Sequence, residues 1–299
     1  MKRILAAFMA AMLLVTLAGC KEAPLPAVED VTVYARKESN TLAAEQGDWM
    51  VLRSEKDGAP GLLLYNKKEK TGRFLLEGAY KNPGLWGNRV YFQAEDTGDL
   101  YYFDLATATH QLLLVAVEDY QIRDGLLYYT VAGALFTQRL DLGIQKKVET
   151  GYGVDDFWIT DYGVYYYTAE KQLLMVLPHG SDGDRIVCAP EGAVLDVVTT
   201  KGAHLAFIQK GEKGSKGNIL CTFDPADRVV LSHLEGEFSA LQLVGQKVVV
   251  AEGAALYAID LSTDQKEDWG GKEADSVQFL SDCAVFYTGN ESSIRFYPE

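Results

Sequence analysis

Residues 157–188, FWITDYGVYYYTAEKQLLMVLPHGSDGDRIVC, decide the fold. They hold four short runs, Phe157–Ile159, Val164–Thr168, Leu173–Leu177 and Arg185–Cys188, separated by Thr-Asp-Tyr-Gly, Ala-Glu-Lys-Gln and a Gly/Asp-rich stretch from Pro178 to Asp184. Short runs rich in Val, Leu, Tyr and Phe, bounded by turn residues, are the pattern of strands joined by tight turns. No sustained helical stripe crosses them.

The same unit recurs along the chain. A turn residue precedes one β-rich run in each copy: Gly47, Gly87, Gly125, Gly163, Gly202, Gly245 and Asp282, at intervals of 40, 38, 38, 39, 43 and 37 residues. A second series follows each of these at Leu62, Leu100, Leu135, Leu173, Ile219, Leu256 and Ile294. A period near 39 holding four short strands is that of a β-propeller blade. The expectation is therefore an all-β chain of four-stranded antiparallel blades. The same quartet can be drawn through residues 119–149 and 238–269. Seven blades are counted, with six or eight left open because the unit between Leu42 and Leu76 has the weakest first strand. The last unit runs out before a fourth strand, and Val31-Thr32-Val33-Tyr34 is the expected donor, closing the ring with the N-terminal strand.

The first twenty residues, MKRILAAFMAAMLLVTLAGC, combine Lys2 and Arg3 with an apolar run from Ile4 to Leu17 and small residues before Cys20. This is the pattern of an export signal, too short to span a bilayer. The tetrad Leu17-Ala18-Gly19-Cys20 resembles the lipobox of bacterial lipoproteins. That resemblance implies cleavage before Cys20, acylation of its thiol, and anchorage at a membrane on the extracytoplasmic side, in the cell envelope. The expected organisation is a signal peptide at 1–19, a lipidated cysteine and tether at 20–30, and one propeller domain at 31–299. The net charge of −14 becomes −16 once Lys2 and Arg3 are removed, which disfavours nucleic acid and anionic lipid headgroups as partners.

Three segments on the expected second strands, Leu127-Tyr128-Tyr129-Thr130, Tyr165-Tyr166-Tyr167-Thr168 and Val285-Phe286-Tyr287-Thr288, resemble the Tyr-Trp-Thr-Asp motif of low-density-lipoprotein-receptor propellers. The stretch from Leu173 to Gly183 is similar to the strand and Asp-Gly turn that follow it there. Bacterial lipoproteins of uncharacterised function carry similar domains. The resemblance implies the fold and brings no activity with it. The motif's aspartate is replaced by Val131, Ala169 and Gly289, and the receptor propellers have six blades.

Signatures of chemistry are sparse. Cys188, Cys221 and Cys283 show no CxxC spacing, so they read as core residues, with a Cys188–Cys221 bridge as the alternative. His110, His179, His204 and His233 form no metal-binding pattern and read as turn or surface residues. There is no GxSxG elbow and no phosphate-binding glycine loop. No cofactor is expected, with Ca²⁺ kept as the one candidate ion. Gly180–Asp184 has the spaced oxygens of a Ca²⁺ loop without the full pattern and reads as a hairpin, as does the insertion from Lys210 to Lys216.

One positional regularity remains. Asp119, Asp156, Asp196, Glu237 and Asp275 each lie six to eight residues before the second-strand anchor of their unit. They read either as turn acids or as a negative funnel at one mouth of the channel, with Tyr120 and Trp158 as cation–π faces beside it. The resulting expectation is a binding or scaffold module for a peptide, glycan or envelope protein. The alternative is a carbohydrate-active hydrolase or lyase using loop carboxylates.

Overall fold

Six of the seven second strands of the repeat are buried along most of their length, as in Gly163–Thr168, where all six residues are buried. A strand apolar on both faces needs a sheet packed against each side. A ring of radially stacked sheets supplies that for every unit. A computed structural model describes residues 43–199, 205–211, 217–224, 226–244, 247–253, 255–272, 274–289 and 291–297. It is a seven-bladed β-propeller. The leader, Cys20, the tether and the expected closing strand Val31–Tyr34 lie outside the described residues.

The blades span residues 43–77, 80–114, 120–147, 156–188, 194–236, 238–271 and 276–296. In each, consecutive strands pair antiparallel in chain order, four in blades 1 to 6 and three among the described residues of blade 7. The innermost strands are β1 (Ala43–Gln46), β5 (Tyr80–Trp86), β9 (Tyr120–Arg123), β13 (Asp156–Ile159), β17 (Val194–Thr199), β21 (Phe238–Val244) and β25 (Ser276–Phe279). Every second strand begins within three residues of its sequence anchor, and every anchor of the second series lies in a third strand. Asp124 and Gly125, both at positive φ, form one tight two-residue connection of the kind that matches strand twist.

The core is divided into seven apolar clusters, one between each neighbouring pair of blades. Blades 4 and 5, for instance, share Trp158, Tyr165, Val176 and Val187 with Val197, Phe207, Cys221 and Phe223. The ring closes where Leu280, Cys283, Val285 and Tyr287 of blade 7 pack on Ala43, Met50 and Leu52 of blade 1. Polar side chains reinforce that seam. The Lys67 ammonium, nearly buried, donates to Glu45 at 2.7 Å and to Asp282 at 2.8 Å, while the Ser281 N–H donates to the other Glu45 oxygen.

Candidate functional site

All seven innermost strands run in the same sense, so their starts gather at one mouth. The five carboxylates do not occupy one register there. Asp156 opens β13 and Asp119 lies one residue before β9, whereas Glu237 and Asp275 precede β21 and β25 and are exposed. Asp196 sits inside β17 and is only 4% exposed. A register shift between Val194 and Asp196 draws it into the strand. Its carboxylate accepts the Leu241 N–H of the next blade and its neighbour Val197 N–H, both at 3.0 Å. Asp196 therefore fastens blade 5 to blade 6 and has no access to the mouth.

The two expected aromatic faces are also turned inward. Trp158 packs in the core between blades 4 and 5, and Tyr120 packs between blades 2 and 3 with its hydroxyl donating to the Asn82 carbonyl. An inner strand has a neighbouring blade on each side, so its large apolar side chains enter the interblade cores. Gln121 follows the same logic with polar groups. Its amide nitrogen donates to Phe157 O at 2.6 Å and its amide oxygen accepts Ile159 N–H at 3.1 Å.

The exposed acids at the mouth have a defined local role. Asp155 and Asp275 each donate their backbone N–H to the carbonyl of Tyr167 or Tyr287. Their carboxylates accept the N–H of Ala169 and Gly289, both at 2.7 Å. Ala169 and Gly289 are the residues that stand where the receptor motif has aspartate. Glu118 makes the same backbone bond to Thr130 and accepts Gly133 N–H at 3.2 Å. In blades 3, 4 and 7 an acid entering the inner strand thus clamps the turn between the second and third strands. Glu118 and Asp155, one residue before the expected Asp119 and Asp156, carry this function.

One constellation was not expected from sequence. His233 lies on β20 (Val229–Gly236) at a register shift, where Leu220 faces Leu234 and Cys221 faces Ser232. Its Nε2 is 2.7 Å from Thr222 Oγ1 and its Nδ1 is 2.6 Å from Asp264 Oδ1. Thr222 lies on β19 (Asn218–Asp224) of blade 5 and Asp264 in a turn of blade 6, so the relay joins two blades. Spacings of more than ten residues hide such a relay until the strands are paired. The described residues include no group of three or more His, Cys, Asp or Glu side chains placed to hold a metal ion.

The cysteines and the Gly180–Asp184 loop follow their sequence reading as packing and turn elements, and most of the hairpin expected at 210–216 lies outside the described residues. Cys188, Cys221 and Cys283 are free, buried thiols. Burial pushes Cys188 up to about 12 and Cys221 up to about 11, and raises Cys283 as well. Gly180–Asp184 is the hairpin before β16 (Arg185–Cys188). One oxygen of the Asp184 carboxylate, Oδ2, accepts Gly151 N–H at 2.6 Å and the Tyr166 hydroxyl, which holds the loop to the protein.

No protein-family model matches the chain, and no curated protein sequence is significantly similar to it. Solved structures resemble it. An oligogalacturonate lyase in complex with manganese aligns with TM-score 0.60 and 13% identity, over 85% of this chain and 87% of that one. The oligogalacturonate lyase of Vibrio parahaemolyticus aligns with TM-score 0.58 and 12% identity, over 91% of each chain. A puromycin hydrolase mutant complexed with PGG aligns with TM-score 0.59 and 12% identity, over 80% of this chain and 48% of that one. At such identity the shared property is the propeller fold.

Proposed function

We propose that this protein is an extracytoplasmic lipoprotein, anchored through Cys20, whose propeller binds a basic segment of an envelope protein or peptide. The observation that carries this reading is the set of acids at the starts of the inner strands. Asp156, Glu237 and Asp275 stand at one mouth together with Glu118 and Asp155, while Asp119 is buried at 8% exposure. Three members of this set, Glu118, Asp155 and Asp275, accept backbone N–H bonds, so their charge is held in place before a ligand arrives. Several like charges around one opening focus a negative potential and attract cations in a salt-dependent way.

The test is calorimetry with a Lys/Arg-rich peptide at low and high ionic strength, with Ca²⁺ and Mn²⁺ as separate arms. Binding should weaken at least tenfold in the combined Asp156→Asn, Glu237→Gln and Asp275→Asn variant, and should fade with salt. Unchanged binding in that variant would reject the acidic mouth as the binding surface. Anchorage is tested by mass spectrometry of the mature N-terminus. An unmodified Cys20, or a Cys20→Ser chain still wholly membrane-bound, would reject it.

A further inference from the structure

At the opposite end of the blades from the acidic mouth, the outer parts of blades 4 and 5 enclose a groove of about 570 Å³. Tyr165, Val176, Val187 and Phe223 form its floor, Tyr162 and Ile186 stand at its rim, and Arg185 and Arg228 flank it. The floor side chains belong to the shared core of the two blades. The rim is exposed, with Tyr162 at 37% and Ile186 at 51%. The groove lies within the size range of small-molecule sites, which pair an apolar lining with a few polar groups.

The charge at this groove runs against that of the molecule. In a chain of net charge −14, two guanidinium groups converge on one apolar surface from different blades. Arg185 sits opposite Val176 in the sheet register, and Arg228 lies in the turn before β20. Arg53, Arg89, Arg123 and Arg139 each meet a carboxylate. No carboxylate pairs with Arg185 or Arg228 among the described residues. An apolar bed between two partnerless cations matches a ligand with an apolar body and an anionic head, because guanidinium binds carboxylate through paired hydrogen bonds.

We propose that the groove between blades 4 and 5 binds a medium-chain fatty carboxylate, the acyl chain on Val176, Val187 and Phe223 and the head group on Arg185 and Arg228. This site is separate from the acidic mouth and does not depend on it. Trp158 lies in the same interblade cluster, so its fluorescence reports occupancy. The probe is dodecanoate below its micellar concentration, compared with dodecyltrimethylammonium and with an acidic, leucine-rich peptide. Calorimetry should show saturable binding of one dodecanoate, at least tenfold tighter than the cationic surfactant. The Arg185→Gln/Arg228→Gln variant should lose at least tenfold in dodecanoate affinity at an unchanged melting temperature, because both residues are exposed. Tyr162→Ala should weaken both surfactants alike. Equal affinity for the two surfactants, unchanged dodecanoate binding in the double arginine variant, no saturable binding, or binding of the peptide in place of dodecanoate would overturn the assignment.

Discussion

The seam between blades 7 and 1 makes a quantitative prediction through Glu45→Gln. In the folded protein one Glu45 oxygen faces the Lys67 ammonium at 2.7 Å and the other accepts the Ser281 N–H. The side chains of Lys67 and Glu45 are 7% and 9% exposed, and that of Asp282 is 50% exposed. Removing one partner of a buried ion pair costs about 3–5 kcal/mol, because the remaining charge is stranded. Here Asp282 still holds the ammonium at 2.8 Å, though water screens it, and the glutamine amide can still accept from Ser281. The expected loss is about 2–4 kcal/mol, below that of a pair left with no other partner. For a domain of this size it lowers the melting temperature by roughly 5–10 °C.

Lys67→Met combined with Glu45→Gln removes the stranded charge, so the double variant should be less destabilised than Glu45→Gln alone. The pH dependence has a definite sign. Burial pulls the Lys67 ammonium down, but Glu45 and Asp282 together outweigh it and hold the group above its ordinary 10.5. The stabilisation is then present in full below pH 10.5 and fades as the pH rises through the higher folded value. The gap between wild type and Glu45→Gln should be constant from neutral pH to about 9 and should close in strong alkali. Urea unfolding across that range is the assay. A loss below about 0.5 kcal/mol, or a double variant as unstable as the sum of the singles, would refute the seam as an energetic contact.

Three further outcomes are expected. Asp196→Ala strands the N–H groups of Leu241 and Val197 and should cost about 2–4 kcal/mol in urea unfolding, with Asp196→Asn milder; little loss would mean that water replaces the carboxylate. Cys188, Cys221 and Cys283, buried and shifted upward, should resist a thiol reagent at pH 8 and react only after unfolding; labelling of the native protein would show that the interblade cores open. If Val31–Tyr34 completes blade 7, a chain beginning at residue 40 should melt well below one beginning at residue 22, and equal melting temperatures would reject closure by that strand.

The parts of the fold legible in sequence are those buried on both sides. Val164–Thr168, Val248–Ala251 and Cys283–Tyr287 are nearly continuous apolar runs because each has a blade on either face, and their turns recur at a fixed spacing. The outermost strands carry little of that signal. Gln145–Lys147 is a strand with every residue exposed, and its composition could equally belong to a loop. The period places a fourth strand within residues 119–149, and pairing with Phe136–Gln138 fixes which residues form it.

The candidate site was legible in residue type more than in role. A count back from the anchors finds an acid in five blades, but it cannot see the register shift that draws Asp196 into β17, nor that Trp158 and Tyr120 face neighbouring blades. The seam held by Lys67 lies further from sequence reach, since Lys67 and Asp282 are 215 residues apart. The same holds for Arg185 and Arg228, which belong to different repeats and line one groove between adjacent blades. In a repeat protein the period reports what every blade must do to pack. What distinguishes one blade from the next, and so where ligands bind, resides in departures from the period. Here those departures are the inward Asp196, the contacts of His233 with Thr222 and Asp264, and the arginines Arg185 and Arg228 at one groove.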